Sequence, residues 1–380
     1  MFRVRWLRTK SSAAKGIQMN SLITSQERVK NLAALQSAPT AGSGPHTISQ
    51  IHAFAVPGPG AKNAYSVLQV NTRSGITGYG ECKPLSRTDV EALQQLVGQS
   101  AYAYEPLTPM APPPAQGGLN MALLDIVGKM TKTPVYRVMG GPTRFKARAI
   151  ARLTGSSDNE LQASLKQQMA AGVRAFLLPI TSPTARNQGS AFVKANVERF
   201  RAFRAAAPEA EFAVESRDEL TPGDASFLAA ALQPYHPLWF DEPCTVTNLE
   251  ALHKISDETV VPLGFGRNIS NAGTFQDLLR EGVIDLVRPD LLIYGISGVC
   301  RIASMAETYY TAMAPWHSAG PIATAAALHA AASMPNFFVL QIPDSGAGSA
   351  VIQDGFFELP KGPGLGVTVD TKQWERNRIA

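Results

Sequence analysis

The chain has 380 residues, of which 45% are hydrophobic and 17% charged, with a formal net charge of +5. That length and balance suit a soluble globular protein with room for a full barrel and a smaller domain, and exclude a disordered chain. There is no Lys/Arg run with interleaved aromatics and no apolar run of membrane-spanning length, so neither nucleic acid nor membrane is expected as a partner.

Residues 1–44 are basic, rich in Ser and Ala and nearly acid-free, with Arg3, Arg5, Arg8, Lys10, Lys15, Arg28 and Lys30 against Glu27. They read either as an amphipathic targeting segment or as an unstructured extension, which leaves the cytoplasm and an organellar matrix both open. The three cysteines, Cys82, Cys244 and Cys300, are an odd count without C-x-x-C spacing. That argues against a disulfide framework or a zinc site and for plain thiols in a reducing compartment.

An α+β domain is expected over residues 45–145. IHAFAV (Ile51–Val56), YSVLQVNT (Tyr65–Thr72) and ITGYGEC (Ile76–Cys82) read as an antiparallel meander, with the glycine-rich stretch 57–60 as a loop. A helix over 88–101, a proline-rich connector over 106–118 and a helix from Asn120 to Met130 follow. From residue 146 the texture changes to eight apolar strands alternating with helices up to residue 354, the pattern of a (β/α) barrel. The polar tail, 355–380, is expected to return to the first domain.

Three of those strands end in charged residues at an even spacing. FAVESR delivers Glu215, LWFDEP delivers Asp241 and VPLGFGRN delivers Arg267, each 26 residues after the last. Consecutive βα units with this rhythm present one side chain each to the barrel mouth. Glu242, next to Asp241, falls on the opposite face of its strand and reads as structural. Lys83 and Arg87, in the loop after Glu81, read as solvated.

Several stretches, taken together, resemble the enolase superfamily, in particular its mandelate racemase/muconate lactonizing branch and the galactonate dehydratase-like sugar-acid dehydratases. They are MALLDIVGKMTKTPVYRVMGGPTR (Met121–Arg144), WFDEPCTVTNLEALHKI (Trp239–Ile255), DLLREGVIDLVRPDLL (Asp277–Leu292), the stretch Ile302–Phe337, and GFFELPKGPGLGV (Gly355–Val367). The resemblance implies a modified (β/α)7β barrel of the TIM type, capped by an N-terminal α+β domain that the C-terminal tail completes. It also implies a Mg²⁺ ion, proton abstraction α to a carboxylate, and a symmetric homo-oligomer. Such chemistry needs oxygen ligands for a hard cation, a tuned base and positive charge at the developing enolate.

Carried over residue by residue, the resemblance places Glu215 and Asp241 at the first two metal-ligand positions, with long and short acids exchanged. The third falls on Arg267, which stays protonated and cannot ligate Mg²⁺. If a metal binds at all, Glu215 and Asp241 are its ligands; no cofactor is expected. The base position at the end of the second barrel strand reads Phe176-Leu177-Leu178-Pro179, without a titratable group. Arg217 stands two residues past the first ligand. Asp290 keeps the dyad position, and its partner falls either on His317, 27 residues later, or, by the Ala314-Pro315 signature, on Trp316. Gln341 stands where an acid often ends the eighth strand.

Two functional readings follow. In one, the protein is a divergent acid-sugar dehydratase or racemase with a rebuilt site, in which Glu215, Arg217, Arg267, Asp290 and His317 carry the chemistry and Trp316 and Gln341 contact a small carboxylate or sugar acid. In the other it is a catalytically silent homologue that binds a small carboxylate or serves a structural role, its arginines and acids forming an ion-pair network where a metal would sit.

Overall fold

The computed structural model describes residues 44–57, 64–184, 187–344, 346, 348 and 350–379. Residues 1–43 and most of the 57–60 loop therefore lie outside the described residues. A first antiparallel sheet is built from β1 (Ile48–Val56), β2 (Tyr65–Thr72) and β3 (Thr77–Cys82) in that order. α1 (Arg87–Leu93) follows, opened by a capping box in which Ser86 and Asp89 bond each other's backbone amides.

α2 (Gln116–Met130) is buried along nearly its whole length. One side packs on the sheet, where Leu119, Leu123 and Ile126 join Ile51, Leu68 and Val70 in a common core. Each such side chain contributes about 2 kcal/mol of burial. Its other side meets the barrel. The helix starts four residues before the expected Asn120 because Gly117 and Gly118 belong to it rather than to the connector. A Cβ on Gly117 would stand 2.2 Å from the Leu292 carbonyl oxygen, and one on Gly118 2.8 Å from Cys82 Cβ, so both glycines are there for close approach.

The barrel strands are β4 (Lys146–Arg152), β5 (Ala175–Pro179), β6 (Glu211–Glu215), β7 (Phe240–Asp241), β8 (Leu263–Phe265), β9 (Leu286–Val287), β10 (Ala312–Met313) and β11 (Leu340–Ile342). Each pairs in parallel with the next from β4 to β10, and β11 pairs in parallel with β4. The ring is joined between its seventh and eighth strands by the Met313–Phe337 bridge, in which Met313 donates to Asn336 O at 2.9 Å and Phe338 to Met313 O at 2.8 Å.

The intervening helices are α3 (Asp158–Ala170), α4 (Ser190–Ala206), α5 (Pro222–Leu232), α6 (Leu249–Glu258), α7 (Ala272–Glu281), α8 (Leu291–Glu307) and α9 (Pro321–Ser333). The expected (β/α)7β barrel with its α+β cap is thus the observed architecture. Five of these helices carry a side-chain N-cap: Ser157, Thr221, Asn248, Asn271 and Asp290.

α9 begins on Gly320, which has no side chain to offer, and the cap domain supplies the missing acceptor. Glu81, at the end of β3 and fully buried, accepts from Gly320 N at 2.7 Å, Ala323 N at 3.0 Å and Ile322 N at 3.3 Å. Two further buried groups tie cap to barrel and tail. Asn120 exchanges hydrogen bonds with Ser297, and Asp125 accepts from Tyr79 N, Leu365 N and Lys129 Nζ.

The tail is held by both domains. β12 (Ile352–Gln353) and β13 (Phe356–Glu358) form a hairpin whose second strand runs antiparallel to the start of β4. The chain then returns to the cap, where Trp374 meets Phe54 and Ile379 donates to Ala53 O at 2.9 Å. The hairpin straddles residues 354 and 355, where the sequence suggested a boundary. Among the described residues, no helix is long and apolar enough to cross a membrane.

Candidate functional site

The C-terminal ends of the barrel strands bring Glu215, Asp241 and Arg267 together, as their spacing predicts. β6 and β7 run side by side with Glu215 opposite Asp241, and both carboxylates are buried. Arg267 leaves β8 just after Gly266 and lays its Nη1 2.6 Å from Glu215 Oε1 and 3.5 Å from Asp241 Oδ2.

Two arginines that the sequence reading left out complete the cluster. Arg152, at the end of β4, donates from Nε to Glu215 Oε2 at 2.5 Å. Arg288, fully buried beyond β9, bonds Asp241 Oδ2 through Nη1 and Gln341 Oε1 through Nη2, the latter at 2.5 Å. Trp239 Nε1 donates to Asp241 Oδ1 at 2.8 Å, and Arg217 Nε stands 3.4 Å from Glu215 Oε2. A buried arginine in a strand must find an anion, so Arg288 in VRPD carried a signal; its partner, 47 residues earlier, did not.

Burial alone would push the Glu215 carboxyl up, but the charges of Arg267, Arg152 and Arg217 outweigh it and hold it down at about 2. Arg267 is likewise held above the usual guanidinium range: burial works against its charge, and Glu215, Asp241 and Glu242 more than offset that. Its guanidinium stacks on the Trp316 ring with Cζ 4.3 Å from the centroid.

Glu242 turns the other way, with its backbone at φ +44°. Its Oε1 accepts from Gly266 N and Arg267 N, both at 2.7 Å, so it sets the turn that aims Arg267. Burial, followed by the neighbouring Asp241 and Asp218, pushes its carboxyl well above the ordinary range.

The seventh-strand side is organised differently. Asp290 caps α8 by accepting from Leu292 N at 2.9 Å, and its other oxygen takes Lys83 Nζ at 2.5 Å. Lys83, expected to be solvated, thus reaches across from the cap, with 35% of its side chain exposed. Trp316 is the residue that faces Arg267. His317 is buried, with Nε2 3.4 Å from Thr324 Oγ1, and among the described residues no hydrogen bond joins it to Asp290. Burial and then the Lys83 charge drive its imidazole down to about 3.

The donor set does not fit a hard divalent cation. All four oxygens of Glu215 and Asp241 already face a guanidinium or an indole N–H, and Arg267 lays its own positive charge against both carboxylates. Among the described residues, no group of three or more His, Cys, Asp and Glu is placed to hold a metal.

Comparison with known proteins agrees with this architecture. A family model described as "Enolase C-terminal domain-like" matches residues 160–374. D-galactonate dehydratase of Ralstonia pickettii is 29% identical over 341 residues, covering 80% of this chain and 88% of that protein. D-xylonate dehydratase of Haloferax volcanii is 26% identical over 286 residues, covering 70% and 69%. Among solved structures, an enolase described as a putative galactarate dehydratase from Agrobacterium radiobacter, with bound sodium and L-malate, superposes with a TM-score of 0.79 at 26% identity. That match covers 87% of this chain and 95% of that one.

Proposed function

The chain belongs to the enolase C-terminal domain-like family, and from that premise we propose that it is a divergent acid-sugar dehydratase homologue whose barrel mouth binds a small carboxylate or sugar acid through arginines, without a divalent cation. The observation that carries this reading is Arg267, whose guanidinium lies against both Glu215 and Asp241. Guanidinium forks match carboxylates bidentately, so a metal's anchoring role passes to side chains that are always charged.

The same geometry favours binding over the family's proton abstraction. The end of β5 offers Leu177, Leu178 and Pro179, so no titratable side chain stands at the base position. Glu215, held at about 2 by three arginines, is a poor base at neutral pH, and His317 faces Thr324. Homo-oligomerisation of the kind common in the family belongs to the same proposal.

A Mg²⁺ titration followed by thermal unfolding tests the reading. The wild-type melting temperature should stay unchanged at millimolar Mg²⁺, while stabilisation at sub-millimolar Mg²⁺ would sink the metal-free site. Solvent deuterium exchange into a panel of aldonates and aldarates should show no incorporation. Incorporation that disappears in Arg267→Ala and Glu215→Gln would instead establish a rebuilt enzyme.

A further inference from the structure

A cavity of about 460 Å³ opens beside Glu215, on the side away from Arg267, over the ends of β4, β5 and β6. Arg152 and Arg217 line it, with Arg199, Thr154 and Thr181 in its wall. Arg199 is committed elsewhere, to Pro179 O at 3.2 Å and Asp158 Oδ1 at 2.6 Å. Arg152 and Arg217 are not. Both point Nε at the same atom, Glu215 Oε2, at 2.5 and 3.4 Å. Among the described residues, none of their four η-nitrogens has a hydrogen-bond partner.

One carboxylate therefore answers three guanidiniums, counting Arg267, and the surplus positive charge faces the cavity. Glu219 stands in the wall, Asp344 attracts Arg217, and Asp158 is taken by Arg199. The backbone is also bent to make the arrangement. Arg217 and Asp218 stand at φ +59° and +64°, two consecutive non-glycine residues in the left-handed region directly after β6. Such strain persists where the surroundings impose it, often at ligand sites. Here it folds Arg217 back over Glu215 instead of letting it run on into solvent.

We propose that Arg152 and Arg217 form a two-arginine clamp for the oxyanion end of a small ligand, displaced from the barrel axis to the outer side of Glu215. The shared chemistry is a carboxylate or a phosphate monoester that takes the η-edges of both guanidiniums, with ligand hydroxyls within reach of Thr154 and Thr181. The inference rests on the arginine-based reading of the mouth and places its ligand. Glu215 acts as the positioning residue: by holding both Nε atoms on one oxygen it keeps the two forks side by side and lowers the ordering cost of binding.

Calorimetric titration of the full chain with inorganic phosphate, gluconate and 6-phosphogluconate tests the clamp. At least one probe should bind, with affinity falling steeply as salt is raised. Arg217→Gln, at a half-exposed position, should weaken that probe at least tenfold in a protein whose thermal unfolding shows it folded. Arg152→Gln should do the same where its thermal unfolding shows a folded protein, and Lys83→Ala, on the opposite side of the mouth, should change it less than twofold. Binding of phosphate alone identifies the phosphate end as the source, and binding of gluconate with no response to phosphate identifies the carboxylate. Wild type that binds none of the probes, Arg217→Gln that binds as wild type, or equal loss in Lys83→Ala would each overturn the clamp. Neither result bears on the Mg²⁺ titration, so failure of the clamp and failure of the metal-free reading remain distinguishable.

Discussion

Glu215 and Glu242 are both buried glutamates at the mouth of one barrel, on neighbouring strand ends, and their surroundings drive them in opposite directions. Glu215 is met by three guanidiniums and stays ionised down to about pH 2. Glu242 is met by two backbone amides and two further carboxylates, and holds its proton well above the ordinary range. Burial weighs against the charge on both; only full opposite charges reverse it for Glu215. The arginine-filled centre is therefore an ion-pair network held by opposite charge, whereas Glu242 beside it is a hydrogen-bonded brace.

The sharpest break in that contrast is Arg288→Ala. It strips Asp241 of its buried partner and leaves a carboxylate uncompensated, so unfolding in denaturant should show a loss of about 3–5 kcal/mol. The double change Arg288→Met with Asp241→Asn should recover most of it, because a pair removed together leaves no lone charge. A failure to recover would mean that the pair contributes more than mutual compensation.

The two glutamates separate by pH. The folded value of Glu215 lies below its unfolded one, so the unfolded chain takes the proton first. Its contribution is fully present above about pH 4.5 and is lost as pH falls toward 2. By linkage this is on the order of 3 kcal/mol, and Glu215→Gln should remove that acid limb from a plot of melting temperature against pH. Glu242 has the opposite sign. The folded state holds the proton, so stability declines as pH rises from the ordinary carboxylate range toward the raised value. Glu242→Gln should flatten that neutral-side decline while leaving the acid limb intact. Two variants that alter the same limb would collapse the distinction.

Lys83→Ala gives the smallest effect. The lysine is partly exposed and Asp290 keeps its bond to Leu292 N, so a loss of about 1 kcal/mol at neutral pH is expected. The loss should shrink in mild acid, where Asp290, already raised by burial, takes up a proton.

The scaffold was legible in the sequence because its signals are local. Apolar runs ending in charge mark the barrel strands, Ser, Thr and Asn mark the helix starts, and an even spacing puts Glu215, Asp241 and Arg267 on consecutive units. The partners were less legible because nothing local encodes them. Arg152 and Arg288 received no role from the sequence because their carboxylates, Glu215 and Asp241, lie on other strands. Lys83 looked solvated because Asp290 lies 207 residues further along the chain. Gly117 and Gly118 looked like connector because the reason for two glycines in a helix lies far along the chain or in another element, the Leu292 backbone against the first and the end of β3 against the second.

Glu81 has a consequence for traffic at the mouth. In barrels of this architecture, the loops after the seventh and eighth strands and a nearby helix start are a frequent seat for a ligand's phosphate, because unpaired amides and the helix dipole converge there. Here the amides of the first turn of α9, after the seventh strand, are already bonded to a carboxyl group that the protein supplies from its own cap. That berth is occupied permanently. If Arg152 and Arg217 form the proposed clamp, an incoming oxyanion finds the seventh-strand amides already bonded and the two guanidiniums open, and Glu81 thereby narrows where such a ligand can sit.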